Sequence, residues 1–169
     1  MKLEEALKTA IEYETKVRDV YINAMKQEKD EKAKHFFGVM AKEEQYHLNY
    51  LGKRLDEFQK TGDIHPEELQ TVVPPREKIN DEIRKLKEIM DHEDHSAELD
   101  ILHKALDLET ETGNFYKKMA DELEGQGKKM FTDFLSVEEA HRHLVLTEID
   151  CLNGTGFWFH LREFNLEVY

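Results

Sequence analysis

Four long segments of this chain repeat an apolar side chain at alternating steps of three and four residues, and this spacing constrains the fold most. Such spacing places one apolar stripe along one face of an α-helix. Proline interrupts helices, and the 3 prolines all lie between Pro66 and Pro75. The sequence therefore predicts an all-α chain of four long helices, whose stripes begin at Leu3, Phe37, Leu102 and Phe131.

The connections between these segments differ in length. Short breaks near residues 29–30 and 125–127 predict that the first and second helices, and the third and fourth, form antiparallel pairs. The link over residues 60–95 is long, and apolar residues spaced from Ile79 to Met90 predict a short extra helix within this crossover. We therefore expect a four-helix bundle over residues 1–153. The aromatic tail at 154–169 then packs on the end of the bundle or forms a subunit contact.

A carboxylate interrupts each apolar stripe near its middle, and two of the four interruptions continue as Glu-x-x-His. The two halves of the chain align at an offset of about 95 residues, which indicates an internal repeat. In chain order the interruptions are Glu14, Glu44 with His47, Glu109, and Glu138 with His141.

These six side chains are predicted to meet inside the bundle. Residues three apart on a helix lie on nearly the same face, so both members of a Glu-x-x-His pair can reach one point. Four ionised carboxylates in an apolar interior repel one another and lose their hydration, at several kcal/mol per ion. They need protons or cations, and two divalent ions would neutralise them and use one imidazole nitrogen each. The pattern therefore predicts a dinuclear metal site.

At these residues the chain resembles the rubrerythrin-like branch of the ferritin-like di-iron carboxylate superfamily, and the predicted connectivity is ferritin-like as well. The resemblance implies that Glu14 and Glu109 are terminal ligands and that Glu44 and Glu138 bridge the two ions. It also implies one nitrogen ligand per ion, from His47 and His141.

The same resemblance places two tyrosines, Tyr21 and Tyr116, next to the ligands. For both we favour core packing, with the hydroxyl group donating a hydrogen bond to a ligand carboxylate, over a redox or proton-relay role in catalysis.

Two departures from the family limit what the resemblance implies. Rubrerythrins add a rubredoxin-type iron site held by four cysteines, whereas this chain has the single Cys151. Electrons must then come from a separate donor, such as a rubredoxin-like protein. Thr112 stands where the family tends to carry a further glutamate, so peroxidase activity does not follow from the motif alone.

The ligand set bears on the metal and on the reaction. Oxygen-rich ligation with imidazole suits iron or manganese, with zinc also possible, and we expect two iron ions. The predicted protein is an oxidoreductase of oxidative stress that reduces hydrogen peroxide or dioxygen with electrons from the separate donor. Three alternatives stay open: a ferroxidase or iron-storage or buffering protein, a metal-free helical interaction module, and manganese catalase-like dismutation.

Charge and hydropathy exclude two classes of partner. The chain has 24 Lys and Arg against 37 Asp and Glu, and this net charge of −13 disfavours binding to nucleic acid. No apolar run approaches the ~18 residues that a membrane span requires, so we expect no membrane partner. The charged start and the lone cysteine favour a cytoplasmic protein, and we expect a homodimer.

Several other polar residues have an ordinary structural explanation. His92 and His95 are expected in a hydrated joint between helices, and Cys151 as a buried apolar filler. Arg54 and Glu148, each seven residues beyond a motif histidine, are expected to be surface or bundle-end charges rather than a functional pair.

Overall fold

The computed structural model describes residues 2–74, 76–80, 95–155 and 158. All regular structure within these ranges is helical, which confirms the all-α prediction. The four long helices are α1 (Leu3–Gln27), α2 (Glu31–Thr61), α3 (Ser96–Glu122) and α4 (Gly125–Thr155). Residues 76–80 are helical and include Ile79, the first apolar residue of the predicted extra helix. The rest of that helix, and the tail except for residue 158, lie outside the described residues.

Local sequence signals account for both ends of α2. The Asp30 side chain caps α2 by accepting hydrogen bonds from the backbone N–H groups of Lys32 and Ala33, at 2.8 and 2.9 Å. Gly62 ends α2 in the left-handed conformation, with φ of 79°.

Two helix ends differ from the prediction by a few residues. Residues 125–127 were expected only to stop the third helix, but α3 ends at Glu122 and Gly125 is the first residue of α4. The fourth helix was expected to end at Asn153 and Gly154, whereas α4 runs to Thr155.

Adjacent helices pack in antiparallel pairs. In α1 and α2, Glu4 accepts a hydrogen bond from Gln59 at 3.2 Å and Arg18 donates one to Gln45 at 3.1 Å. Residue numbers therefore rise along α1 as they fall along α2. The connection between α3 and α4 is two residues long, and the two helices pack together, so they are antiparallel as well.

The two pairs combine into a bundle in which α2 and α3 run in the same direction. Tyr21 of α1 contacts Glu109 of α3, and Tyr116 of α3 contacts Glu14 of α1, so these helices are also antiparallel. Because α1 runs opposite to both α2 and α3, the latter two are parallel. The end of α2 and the start of α3 therefore lie at opposite ends of the bundle.

The described start of the crossover follows α2 backwards. The Arg54 guanidinium donates to the carbonyl of His65, and the Tyr50 hydroxyl donates to the carbonyl of Glu67 at 2.8 Å. Further along, Thr71 lies against residue 43 of α2. Residues 64–73, hereafter the return segment, thus cover one face of α2.

Two buried apolar clusters fill the bundle, one toward each end. One cluster surrounds Phe37, Met40, Leu102 and Val145; the other surrounds Leu7, Leu51, Met119 and Phe131. Trp158 packs against Phe36 and Phe37, with ring centroids 5.7 and 5.6 Å apart. Among the described helices none has the length and apolar character needed to cross a bilayer.

Candidate metal centre

The structure brings together all six side chains that the sequence analysis selected. Each of them is at most 1 % exposed, and they lie between the two apolar clusters. The 4–3 spacing of each stripe puts these residues on the inward face of their helix, so burial follows from the same periodicity that forms the core. The six residues are Glu14 on α1, Glu44 and His47 on α2, Glu109 on α3, and Glu138 and His141 on α4.

The two Glu-x-x-His motifs form the centre of this group. Ligand atoms of Glu44, His47, Glu138 and His141 all lie within 4.8 Å of one another, close enough to hold a metal ion. The imidazole rings stack at a centroid distance of 5.2 Å with 9° between their planes.

Carboxylate oxygens surround the ring nitrogens. His47 Nδ1 lies 3.2 Å from Glu14 Oε2, 3.3 Å from Glu44 Oε2 and 3.5 Å from Glu138 Oε1. His141 Nδ1 lies 3.0 Å from Glu44 Oε1. Both Nδ1 atoms thus face the same group of carboxylates.

The two tyrosines exchange hydrogen bonds between α1 and α3. The hydroxyl of Tyr21 donates to Glu109 Oε1 at 2.6 Å, and the hydroxyl of Tyr116 donates to Glu14 Oε1. Burial, together with the neighbouring Glu109 and Glu14, raises the pKa of both phenols well above the ordinary value, so both stay protonated donors. The prediction that they pack in the core and donate to these carboxylates is confirmed.

Without cations, protons must offset the crowded negative charge. Burial and the nearby Glu14 and Glu109 raise the pKa values of Glu44 and Glu138 well above the ordinary range. Burial acts in the same direction on Glu14, but the His47 imidazole and the hydrogen bonds to this carboxylate outweigh it and lower its pKa to about 2.

The pKa values of the two histidines are raised as well, so that both rings favour the protonated form. Burial alone would lower the pKa of His141, yet Glu44 and Glu43 raise it to about 10. The pKa of His47 is also raised, by Glu14 against the effect of burial. The metal-free centre therefore keeps imidazolium groups and protonated carboxyl groups in its interior.

Several carboxylate oxygens make no well-formed hydrogen bond in the described part of the chain. They are both oxygens of Glu44, both of Glu138 and Oε2 of Glu109, although ring nitrogens of His47 and His141 lie 3.0–3.5 Å from three of these five oxygens. Unpaired buried oxygens are unfavourable in an apolar interior, whereas divalent ions take oxygen ligands of this kind. The residues present are therefore suited to hold a metal ion.

The sequence analysis missed a fifth carboxylate, that of Glu43. Its side chain is 0 % exposed. It accepts hydrogen bonds from the Thr71 hydroxyl at 2.5 Å and from the Val72 backbone N–H at 3.3 Å, and its Oε2 lies 3.4 Å from His141 Nε2. Despite its burial the pKa of Glu43 is lowered, by His141 and by the Thr71 hydroxyl.

A second stripe on α2 could have revealed Glu43. Buried residues recur on this helix at the same alternating spacing as in the first stripe, and Glu43 is a member of the set. The members are Phe36, Met40, Glu43, His47, Tyr50 and Arg54.

The remaining candidates lie outside the centre. Arg54 and Glu148 were expected at the surface or the bundle ends, but they are 3 % and 0 % exposed, so the surface prediction was wrong. Arg54 contacts Glu57 and the return segment near one end of α2. Glu148 neighbours Ile149 and Cys151, which belong to the cluster at the opposite end of the bundle, so the two charges do not pair.

Cys151 is 6 % exposed, which confirms that it is a buried filler, and burial raises the pKa of its thiol to about 12. Thr112 is buried and donates its hydroxyl to the Leu108 carbonyl at 2.9 Å. His95 is 8 % exposed and lies 3.5 Å from Glu98, so the expectation of a hydrated site was wrong for this residue; His92 lies outside the described residues.

Comparison of the chain with protein-family models, with curated proteins and with solved structures finds no match. The case for a function therefore depends on the geometry of the centre.

Proposed function

We propose that this chain is a non-haem di-iron carboxylate protein with a ferritin-like bundle, similar to the rubrerythrin-like branch. It reduces hydrogen peroxide or dioxygen with electrons from a separate donor. The observation that carries the proposal is the convergence of four carboxylates and two imidazoles in a dry interior between two apolar clusters.

In this proposal Glu14 and Glu109 are terminal ligands, Glu44 and Glu138 bridge the ions, and each histidine binds one ion. The oxygens without a well-formed hydrogen bond on Glu44 and Glu138 support a bridging role, because each bridging carboxylate offers both of its oxygens. The tyrosine hydroxyls on Glu14 and Glu109 support a terminal role, because each leaves its carboxylate one oxygen free of that bond.

When bound, two ferrous ions supply one electron each, which suffices with two protons to reduce one hydrogen peroxide molecule to two water molecules. The chain's own residues prepare the site for this reaction. The apolar clusters exclude bulk water, and the tyrosines hold Glu14 and Glu109 in place across the two helices. Glu43 lies beside His141 Nε2, which directs Nδ1 of that ring toward the carboxylates.

Peroxide reactivity tests the proposal. Metal-free protein is loaded with Fe²⁺ under anaerobic conditions, mixed with one equivalent of hydrogen peroxide per ion pair, and followed in the near ultraviolet. We expect an absorbance band of a ferric pair that bleaches when reductant is added and returns with further peroxide. Release of dioxygen from peroxide without reductant would instead indicate catalase-like dismutation.

The matched variants are Glu14→Ala with Glu109→Ala, and Glu12→Ala with Asp107→Ala. Glu12 and Asp107 are exposed acidic residues two positions before each proposed ligand, on the same helices. We expect the first variant to lose the band and the second to keep it. Equal reactivity in both variants, or no reaction in the unaltered protein, would contradict the proposal.

A further inference from the structure

A cavity of about 290 Å³ lies between α3 and α4 and reaches the candidate metal centre. Its walls include the site carboxylates Glu109 and Glu138, together with Gly113 between the two helices. One water molecule occupies about 30 Å³ in the liquid, so the cavity is large enough for several waters or for a small reactant. Glu109 and Glu138 are themselves 0 and 1 % exposed, so the cavity borders the buried centre.

Gly113 keeps this cavity open. It lies inside α3, where glycine is less favourable than alanine by about 0.5–1 kcal/mol. A Cβ atom at this position would lie 3.9 Å from Glu138 Cβ, an ordinary contact. The backbone therefore tolerates a side chain at residue 113. A side chain larger than that of alanine would fill the space beside Glu138.

The internal repeat provides a comparison within the same molecule. At the offset of 95 residues that relates Glu14 to Glu109, the equivalent of Gly113 is Arg18. The Arg18 guanidinium donates to Gln45 of α2 at 3.1 Å and to Asp19 at 2.7 Å. The Arg18 side chain thus spans the face between α1 and α2. At the equivalent position on the face between α3 and α4, Gly113 has no side chain.

We propose that the cleft beside Gly113 is the entrance of the metal centre, and that the size of residue 113 determines how fast ions and small polar reactants such as hydrogen peroxide pass. This inference rests on the proposed function. The polar mouth of the cleft fits a reactant that arrives hydrated, because Thr110, Asn114, Lys117 and Arg142 line it. On the related face Arg18 occupies the equivalent position and bonds to Gln45 of α2.

The test measures the rate at which metal-free protein takes up Co²⁺, followed by absorbance, and separately the final Co²⁺ content. We expect Gly113→Met to slow uptake at least about tenfold at unchanged final content, which corresponds to a barrier raised by about 1.4 kcal/mol. Gly113→Ala should give an intermediate rate. Arg18→Ala should accelerate uptake, because it removes the side chain that covers the related face.

Gly52→Met is the matched control, because Gly52 also lies within a helix and has open space around an added Cβ, but it does not line the cavity. Its uptake rate should equal that of the unaltered protein. On protein loaded with iron, Gly113→Ala should slow the reaction with tert-butyl hydroperoxide more than the reaction with hydrogen peroxide.

If Gly113→Met takes up Co²⁺ at the rate of the unaltered protein, the proposal that this cleft is the entrance is overturned. If methionine abolishes binding, Gly113→Ala decides: slower uptake supports the entrance, and an unchanged rate overturns it. Failure of the proposed function gives a different result, because the unaltered protein would then bind no Co²⁺ at the centre.

Discussion

Single residues make the two histidines of the centre unequal. Neither Nε2 atom makes a well-formed hydrogen bond, but His141 Nε2 lies 3.4 Å from the Glu43 carboxylate, whereas the ion pairs of His47 all involve Nδ1. At the offset of 94 residues that relates the two motifs, the equivalent of Glu43 is the buried Val137. A carboxylate beside the distal nitrogen of a ligand histidine orients the ring and strengthens its binding to metal. The half of the centre that holds His141 should therefore bind its ion more tightly.

Substitution of Glu43 tests this inequality. We expect Glu43→Gln to weaken the tighter of two Co²⁺ binding steps by about tenfold, since loss of such a supporting carboxylate typically weakens binding 10–100-fold. Glutamine keeps an oxygen that can accept the Thr71 hydrogen bond, so the return segment should remain docked. Competition with a chromophoric chelator measures the affinity, and the exposed Glu12→Gln serves as control. Equal affinities for Glu43→Gln and the control would contradict the role.

Protonation of the centre predicts how the stability of the metal-free protein depends on pH. The pKa of His141 is about 10 in the folded state against 6.5 ordinarily, so the folded chain holds a proton that the unfolded chain loses within this interval. The free energy of unfolding should therefore fall as pH rises from about 7 to 9, by up to about 1.4 kcal/mol per pH unit for one proton. The raised pKa values of Glu44 and Glu138 act in the same direction.

Urea unfolding with a chelator present, repeated across this pH range, measures the decline. Metal should remove it, because an ion replaces the protons on the ring nitrogens and carboxylates. A stability that is constant or increases from pH 7 to 9 in the metal-free protein would contradict the charge state described for the centre.

Helical elements show where sequence periodicity is sufficient and where it is not. The 4–3 stripes located the inward face of each helix, because periodicity determines the angle of a side chain around its own axis. They did not reveal what covers the second stripe of α2, which contains Glu43. The return segment covers it through Thr71 and Val72, and the docking of an irregular segment leaves no periodic signal. The sequence therefore yielded no prediction for Glu43.

Helix boundaries were predicted well where one residue has one role. Asp30 and Gly62 act as single caps, and they lie at the predicted break near residues 29–30 and at the start of the predicted link over residues 60–95. Gly125 differs because its φ of 57° turns the chain while it also begins α4. A glycine that turns the chain can belong to either neighbouring helix. The break at Gly125 was therefore predicted, but its place as the first residue of α4 was not.

Two glycines of α2 should respond to alanine in opposite directions. Gly62 has a φ of 79°, so Gly62→Ala should destabilise the protein by about 1 kcal/mol. Gly52 lies inside the helix with open space around it, so Gly52→Ala should stabilise the protein by about 0.5–1 kcal/mol. Urea unfolding of both variants measures the difference. Effects of equal sign would contradict the backbone conformations described for the two residues.

The two helix pairs form an internal repeat, and its two halves differ at positions beside the candidate metal centre. The repeat brings Glu14, Glu109 and the two motifs to one centre and pairs each tyrosine with the carboxylate of the other half. Its departures from symmetry include Gly113 against Arg18 and Glu43 against Val137. The symmetric part could be predicted from the sequence, because each half carries the same spacing. The asymmetric part required the contacts between helices, which no single stripe contains.

The central claim is that these six buried side chains hold a pair of metal ions. Anaerobic titration of metal-free protein with Fe²⁺, followed by removal of free ions and elemental analysis, tests it most directly. We expect about two ions per chain for the unaltered protein and for Glu12→Ala with Asp107→Ala, and almost none for Glu14→Ala with Glu109→Ala. An unaltered protein that retains no metal, or a ligand variant that retains as much as its control, would contradict the claim.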